Sequence, residues 1–94
     1  MKLEIRQEHI DRAIKAPRYP ICCNCILAQA ALDAGLHDVT AGAHSLSGSL
    51  DGKRMVYNLD EAGREIAALY SSEWHTVKPQ TIQCTDIYDY ATVD

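Results

Sequence analysis

The dipeptide Asp51-Gly52 lies between two stretches of alternating apolar and polar residues and constrains the fold of this sequence most strongly. Asp-Gly is a favoured pair for a two-residue hairpin loop of type I′, and such a loop fixes which residues lie opposite each other. The predicted pairs are Leu50 with Lys53, Gly48 with Met55, Leu46 with Tyr57, and His44 with Leu59. One face of this hairpin then carries the side chains to be buried, as a half-buried antiparallel pair requires: His44, Leu46, Leu50, Met55, Tyr57 and Leu59.

The first twenty residues predict a strand and a short helix. Residues 2–6 alternate between apolar and polar, so Leu3 and Ile5 should face the core. Apolar side chains then recur at the three-and-four spacing of an amphipathic helix that Pro17 ends. The predicted buried stripe of this helix is Ile10, Ala13 and Ile14.

Two further helices and a strand are predicted in the rest of the chain. Residues 25–34 are strong helix formers, apolar nearly all round, and Gly35 follows where a C-terminal cap is expected. Asp60 is placed to cap a helix over residues 61–71, and residues 81–88 favour a strand. The buried stripe expected of the helix after Asp60 is Ala62, Ile66, Leu69 and Tyr70.

These elements come in the order β-α-α-β-β-α-β, which predicts a small α+β domain with an antiparallel hairpin sheet packed against helices. At 94 residues the chain has room for a single compact domain over residues 1–94, and residues 89–94 are expected to be a frayed tail. The chain is too short to hold both a core and a large catalytic cleft, so a non-enzymatic role is favoured. No apolar run is long enough for a membrane span and residues 1–9 lack a signal-peptide pattern, so we expect a cytoplasmic protein without membrane partners.

The net charge of −4 is distributed unevenly along the chain. Residues 1–20 carry five basic and three acidic side chains, whereas residues 60–94 carry seven acidic side chains against Arg64 and Lys78. Direct binding of nucleic acid is disfavoured because no stripe of Lys and Arg is present. An acidic surface instead suits a basic partner, or it serves only to keep the protein in solution.

The candidate partner-binding residues come from this acidic region. Glu61 and Glu65 lie one helical turn apart on the predicted helix. The run over residues 86–90 combines carboxylates with aromatic rings, a composition suited to an interface but also to a protected edge strand. The predicted partner-binding set is Glu61, Glu65, Asp86, Tyr88, Asp89 and Tyr90.

Three of the four cysteines are clustered, and Cys22-x-x-Cys25 has the spacing of half a zinc site. Cys84 with His44 or His75 would have to complete such a site, because no second Cys-x-x-Cys is present. A redox pair and simple packing of small apolar side chains are the alternatives. The favoured interpretation has no metal and no cofactor, with the thiols reduced.

Four segments together resemble a family of small, mostly uncharacterised proteins encoded by bacteriophages. The segments are QEHID at residues 7–11, Cys22-x-x-Cys25 with ILAQA after it, MVYNLDEA at residues 55–62, and the VKP step at residues 77–79. In that family a proline usually follows the second cysteine, and here Ile26 stands in its place. The resemblance implies a phage origin, and small phage proteins of this kind include inhibitors of bacterial immunity such as anti-CRISPR proteins.

The resulting functional hypothesis is a non-enzymatic phage-type inhibitor that places its acidic surface in the basic nucleic-acid channel of a host defence protein or ribonucleoprotein complex. The first alternative is a sponge for a nucleotide immune signal, which would need basic and aromatic groups at a homodimer interface. Its candidate residues are Arg12, Arg18, Tyr19 and Trp74. The second alternative is a small zinc or thiol module built on Cys22, Cys25 and Cys84.

Overall fold

Five strands form one antiparallel sheet in the computed structural model, which describes residues 1–17 and 21–87, with the backbone alone at Ile21 and Cys22. The sheet order is β1-β5-β4-β3-β2, so the first and last strands are neighbours. The predicted tail at residues 89–94 lies outside the described residues. The elements are β1 (Lys2–Ile5), α1 (Gln7–Lys15), α2 (Ile21–Asn24), α3 (Ile26–Asp33), β2 (His37–Ala41), β3 (Ser45–Leu50), β4 (Lys53–Leu59), α4 (Glu61–Ala68), a 3-10 helix (Ser71–Thr76) and β5 (Gln80–Asp86).

The predicted α+β class and element order are confirmed, and the hairpin of β3 and β4 has the predicted register from Leu50 opposite Lys53 to Leu46 opposite Tyr57. Both turn residues have positive φ, 51° at Asp51 and 81° at Gly52, as a type I′ turn requires. The placement of His44 on the buried face was wrong. β3 begins one residue later, and the exposed His44 meets β4 only through its carbonyl oxygen, which accepts the Leu59 N–H at 3.0 Å.

β2 extends the predicted sheet by one edge strand. Its pairing with β3 is interrupted between His37 and Thr40, where Asp38 has φ of 51°. Val39 is buried, whereas both of its neighbours are exposed. A strand that is interrupted by a bulge and has one buried side chain shows too little alternation to be recognised in the sequence.

α3 is the central helix, as its apolar composition predicts. Its first six residues, 26–31, are all buried. Gly35, with φ of 103°, ends the helix: its N–H reaches the Leu32 carbonyl and the Leu36 N–H reaches the Ala31 carbonyl, each at 3.1 Å. These two bonds form a Schellman motif, which satisfies the last carbonyls of α3 and turns the chain towards β2.

α1 packs on α3 through a different stripe from the predicted one. Ile10 and Ala13 are buried as expected, but His9 is the third buried residue and Ile14 is 49% exposed. The helix is therefore rotated so that a polar side chain faces α3. That rotation brings His9 to the charged cluster described below.

α4 begins at the predicted cap and packs unusually close to the sheet. The Asp60 carboxylate accepts the N–H of Gly63 and that of Gln83 in β5, both at 2.8 Å. A Cβ at Gly63 would lie 2.8 Å from the Ile82 side chain, so the glycine permits this close approach. The helix ends at Ala68, and the prediction that Tyr70 is buried was wrong, since its side chain is 78% exposed.

The helices cover one face of the sheet, and the other face is polar. Alternate strand residues such as Leu3, Leu46, Leu59 and Ile82 are buried beneath the helices. Between them, serine, threonine and charged side chains point away from the core. No helix among the described residues has both the length and the apolar character needed to cross a membrane.

Candidate functional site

Asp33, the last residue of α3, is the centre of a charged cluster that joins α3 to α1. Its Oδ2 atom lies 2.7 Å from Nε2 of His9 and 2.6 Å from a guanidinium nitrogen of Arg12, and Arg6 approaches the same oxygen at 3.4 Å. Arg6 also pairs with Glu8 at 2.7 Å. We call His9, Asp33, Arg6, Arg12 and Glu8 the Asp33 cluster.

The hydrogen bonds of His9 define its tautomer. Nδ1 accepts the backbone N–H of Arg6 at 2.9 Å, in the first turn of α1, so this nitrogen carries no proton. Nε2 is then the protonated nitrogen and donates to Asp33. Both nitrogens of this 1% exposed ring are in use, so His9 has no lone pair left to act as a base or a ligand.

The carboxyl group of Asp33 is held in its ionised form. Hydrogen bonds from Arg12 and then from His9 lower its pKa to about 2. The bond to Asp33 raises the pKa of Arg12 in turn. The cluster therefore joins two helices through one charge-assisted set of bonds.

Glu8, His9 and Asp33 place their ligand-type atoms within 4.8 Å of one another, which is the spacing of a metal site. Their bonding argues against that function. The His9 lone pair is occupied, Glu8 is paired with Arg6, and two guanidinium groups lie where a cation would bind. The cluster is structural.

Glu61 and Glu65 lie on the exposed side of α4, one turn apart, and we call this pair the α4 acidic surface. Side chains at this spacing are neighbours on a helix. Neither carboxylate forms a salt bridge within residues 1–17 and 21–87, and the exposed Arg64 between them forms none either. The two negative charges therefore face solvent.

Asp86 is the last residue of β5 and lies opposite Tyr57 of β4. Asp86 is exposed. The pKa of Tyr57 is raised, first by burial of the Tyr57 side chain and second by the negative charge of Asp86. Asp86 is three positions after Gln83, whose N–H binds the Asp60 carboxylate that caps α4. About 10 Å of strand therefore lie between Asp86 and Gln83. The other predicted interface residues, Tyr88, Asp89 and Tyr90, lie outside the described residues.

The cysteines proposed for a zinc or thiol module are in different environments. Cys84 is fully buried in the core, and burial raises the pKa of its thiol, which disfavours the thiolate that binds metal. Cys25 is half-buried at the start of α3, and the side chain of Cys22 is outside the described set. His44 and His75 are both exposed.

Of the residues proposed for a nucleotide site, the structure describes Arg12 in α1 and Trp74 in the 3-10 helix. Arg12 donates two hydrogen bonds to Asp33, so its guanidinium is already engaged by a carboxylate. Trp74 is buried and lines an apolar cavity together with residues of α3 and α4, and Arg12 does not line this cavity. Arg18 and Tyr19 lie outside the described residues.

The Asp33 cluster was not predicted from the sequence. His9 and Asp33 are 24 residues apart, and no motif joins them. The available signal was His9 itself, which directly precedes Ile10 and lies one helical turn before Ala13. A histidine on the apolar side of a short helix needs a buried partner, and an acidic residue at the end of the central helix can supply one.

Comparison with known proteins gives no relative for this chain. No protein-family model, no curated protein and no solved structure matches it.

Proposed function

We propose that this protein is a non-enzymatic binding protein whose α4 acidic surface docks on a basic surface of a partner. The observation that carries the proposal is the exposed pair Glu61 and Glu65, which forms no ion pair among the described residues. Charges that are not neutralised within the molecule produce an electrostatic potential at the surface. A partner with the opposite potential associates faster with such a surface.

The distribution of compensated charge supports this surface over the Asp33 cluster, which joins α1 to α3. Asp33 is bound by Arg12 and Arg6, and Glu8 by Arg6, so these two carboxylates are neutralised. α4 offers Arg64 alone against its two glutamates. A basic partner would therefore meet less competition from internal cations at α4 than at α1.

The partner class that we propose is a host defence protein or ribonucleoprotein complex, with the carboxylates standing in for nucleic-acid phosphates in its basic channel. Support comes from the acidic second half of the chain and from the resemblance to small phage proteins. The function would then be anti-CRISPR-like inhibition in the host cytoplasm. Asp86 lies near the start of α4 and would extend the contact along β5.

The bonding of His9 supports a binding role over a catalytic one. A general base needs a free lone pair within reach of substrate. His9 has both nitrogens engaged and is buried. The adjacent carboxylate of Asp33 has its pKa lowered to about 2 and is bound by cations, so it makes a weak base.

The test is a co-purification from a bacterial host that expresses a defence ribonucleoprotein complex, with an assay of that complex's nuclease activity. The wild-type chain should retain the complex and inhibit it. The double variant Glu61→Gln/Glu65→Gln removes two negative charges and should weaken retention and inhibition of the complex by at least tenfold. Retention of the complex by the wild-type chain should fall as the salt concentration rises.

The matched control is Asp11→Lys, which makes the same change in net charge on exposed α1. This variant should behave as the wild type. Equal inhibition by the double variant and the wild type would refute the role of α4. A thermal shift with a panel of nucleotides distinguishes the sponge hypothesis, because a bound nucleotide raises Tm whereas this proposal expects no shift.

A further inference from the structure

An apolar cavity of about 250 Å³ lies between the start of α3, the loop from β2 to β3, the end of α4 and the 3-10 helix. Its lining contains no acidic or basic side chain among the described residues. The lining residues are Cys25, Ile26, Leu27, Ala41, Gly42, Ala43, Ile66, Ala67, Leu69 and Trp74.

The cavity exists because small residues form part of its wall. Ala41 ends β2, Gly42 and Ala43 come from the loop after it, and Ala67 comes from α4. Gly42 and Ala43 are exposed, so the cavity opens to solvent on the loop side. Space of this size, lined by apolar groups, is therefore available to a ligand.

Trp74 is the one aromatic residue among the described residues that line the cavity. Its side chain is 6% exposed, and its indole N–H donates no hydrogen bond within the described part of the chain. Every fully buried side-chain nitrogen or oxygen in that part has a partner, so the indole nitrogen lies on the accessible portion of the ring. A tryptophan this deeply buried usually has an acceptor for its N–H.

We propose that the cavity binds a small neutral molecule made of one aromatic ring and a short substituent with a carbonyl-type oxygen, which accepts the indole N–H of Trp74. The size follows from the volume, because an apolar cavity of about 150 Å³ already holds benzene. Neutrality follows from the lining, since a carboxylate would lose its hydration without gaining a cation.

This site is independent of the proposed partner-binding function. Glu61 and Glu65 do not line the cavity, although Ile66 and Ala67 of the same helix do. Ligand binding should therefore persist in the Glu61→Gln/Glu65→Gln variant. Either proposal can fail without the other.

The experiment follows the indole N–H signal by NMR, which is specific because Trp74 is the sole tryptophan. The probes are acetophenone, isopropylbenzene, which has a similar shape but no acceptor, and benzoate, which is charged. Acetophenone should shift the signal saturably, isopropylbenzene should bind several-fold more weakly, and benzoate should not bind.

Two leucine variants on α4 complete the test. Ala67→Leu fills the cavity and should abolish the saturable shift, whereas Ala68→Leu, on the neighbouring exposed position, should leave it unchanged. Should Ala67→Leu not fold, Ala43→Leu blocks the cavity from the loop side. Absence of a saturable shift in the wild type, or equal binding by the filled and control variants, would overturn the proposal.

Discussion

The Asp33 cluster and the α4 acidic surface use carboxylates in opposite ways. Asp33 lies among two arginines and a buried histidine, and its charge joins two helices. Glu61 and Glu65 face solvent with no ion pair among the described residues. The negative charge of this small chain therefore divides into a part that joins two helices and a part that stays exposed to solvent.

The largest effect that tests this division is expected at the centre of the cluster. Asp33→Ala removes the acceptor of the buried His9 N–H and should lower the free energy of unfolding by about 2 to 3 kcal/mol. Urea denaturation measures it. Asp11→Ala removes an exposed carboxylate that bonds only Gln7 within the described part of the chain, and this control should change stability by less than about 0.5 kcal/mol.

The pH dependence of stability should also depend on Asp33. The pKa of Asp33 is about 2 in the folded protein, below its ordinary value of 3.8. Its contribution to the free energy of unfolding is therefore complete above pH 3.8 and is lost as the pH falls towards 2. Thermal denaturation of the wild type and of Asp33→Asn should therefore differ most near neutral pH. The two Tm values should converge on acidification, and a constant gap would contradict the assigned role.

A smaller effect is expected for the exposed member of the cluster. Arg12 is 46% exposed, so solvent screens its pair with Asp33. Arg12→Ala should destabilise the protein much less than Asp33→Ala does in chemical denaturation, since His9 keeps its acceptor. A loss as large as that of Asp33→Ala would show that the arginine, and not the histidine, dominates the cluster.

The smallest effect on stability is expected at α4. Glu61→Gln/Glu65→Gln should change the free energy of unfolding by less than about 0.5 kcal/mol, because neither carboxylate has a partner to lose among the described residues. The same variant should lose partner binding. A large loss of stability would mean that α4 needs these charges to fold, and the contrast between the two regions would fail.

Local patterns explain which parts of the fold the sequence could predict. The hairpin register follows from one turn and the alternation beside it, and the start of α4 follows from Asp60 alone. β2 was missed because Asp38 interrupts its alternation. The Asp33 cluster depends on contacts between distant residues, which a single sequence does not reveal.

The candidate site divides in the same way. The exposed positions of Glu61 and Glu65 follow from helical spacing, so the sequence could predict them. The cavity beside Trp74 requires the loop from β2 to β3 to meet the end of α4. No periodicity encodes that meeting, because it depends on contacts between residues that are distant in the sequence.

Asp60 connects the first turn of α4 to β5 through the two oxygens of one carboxylate. Unwinding that turn therefore also releases the hydrogen bond from the Gln83 N–H of β5 to Asp60. Fraying of this end of the helix is then cooperative with local opening of β5. In hydrogen exchange the amides of Gly63 and Gln83 should then open with the same free energy. The glutamates that follow Asp60 are thus presented from a rigid support.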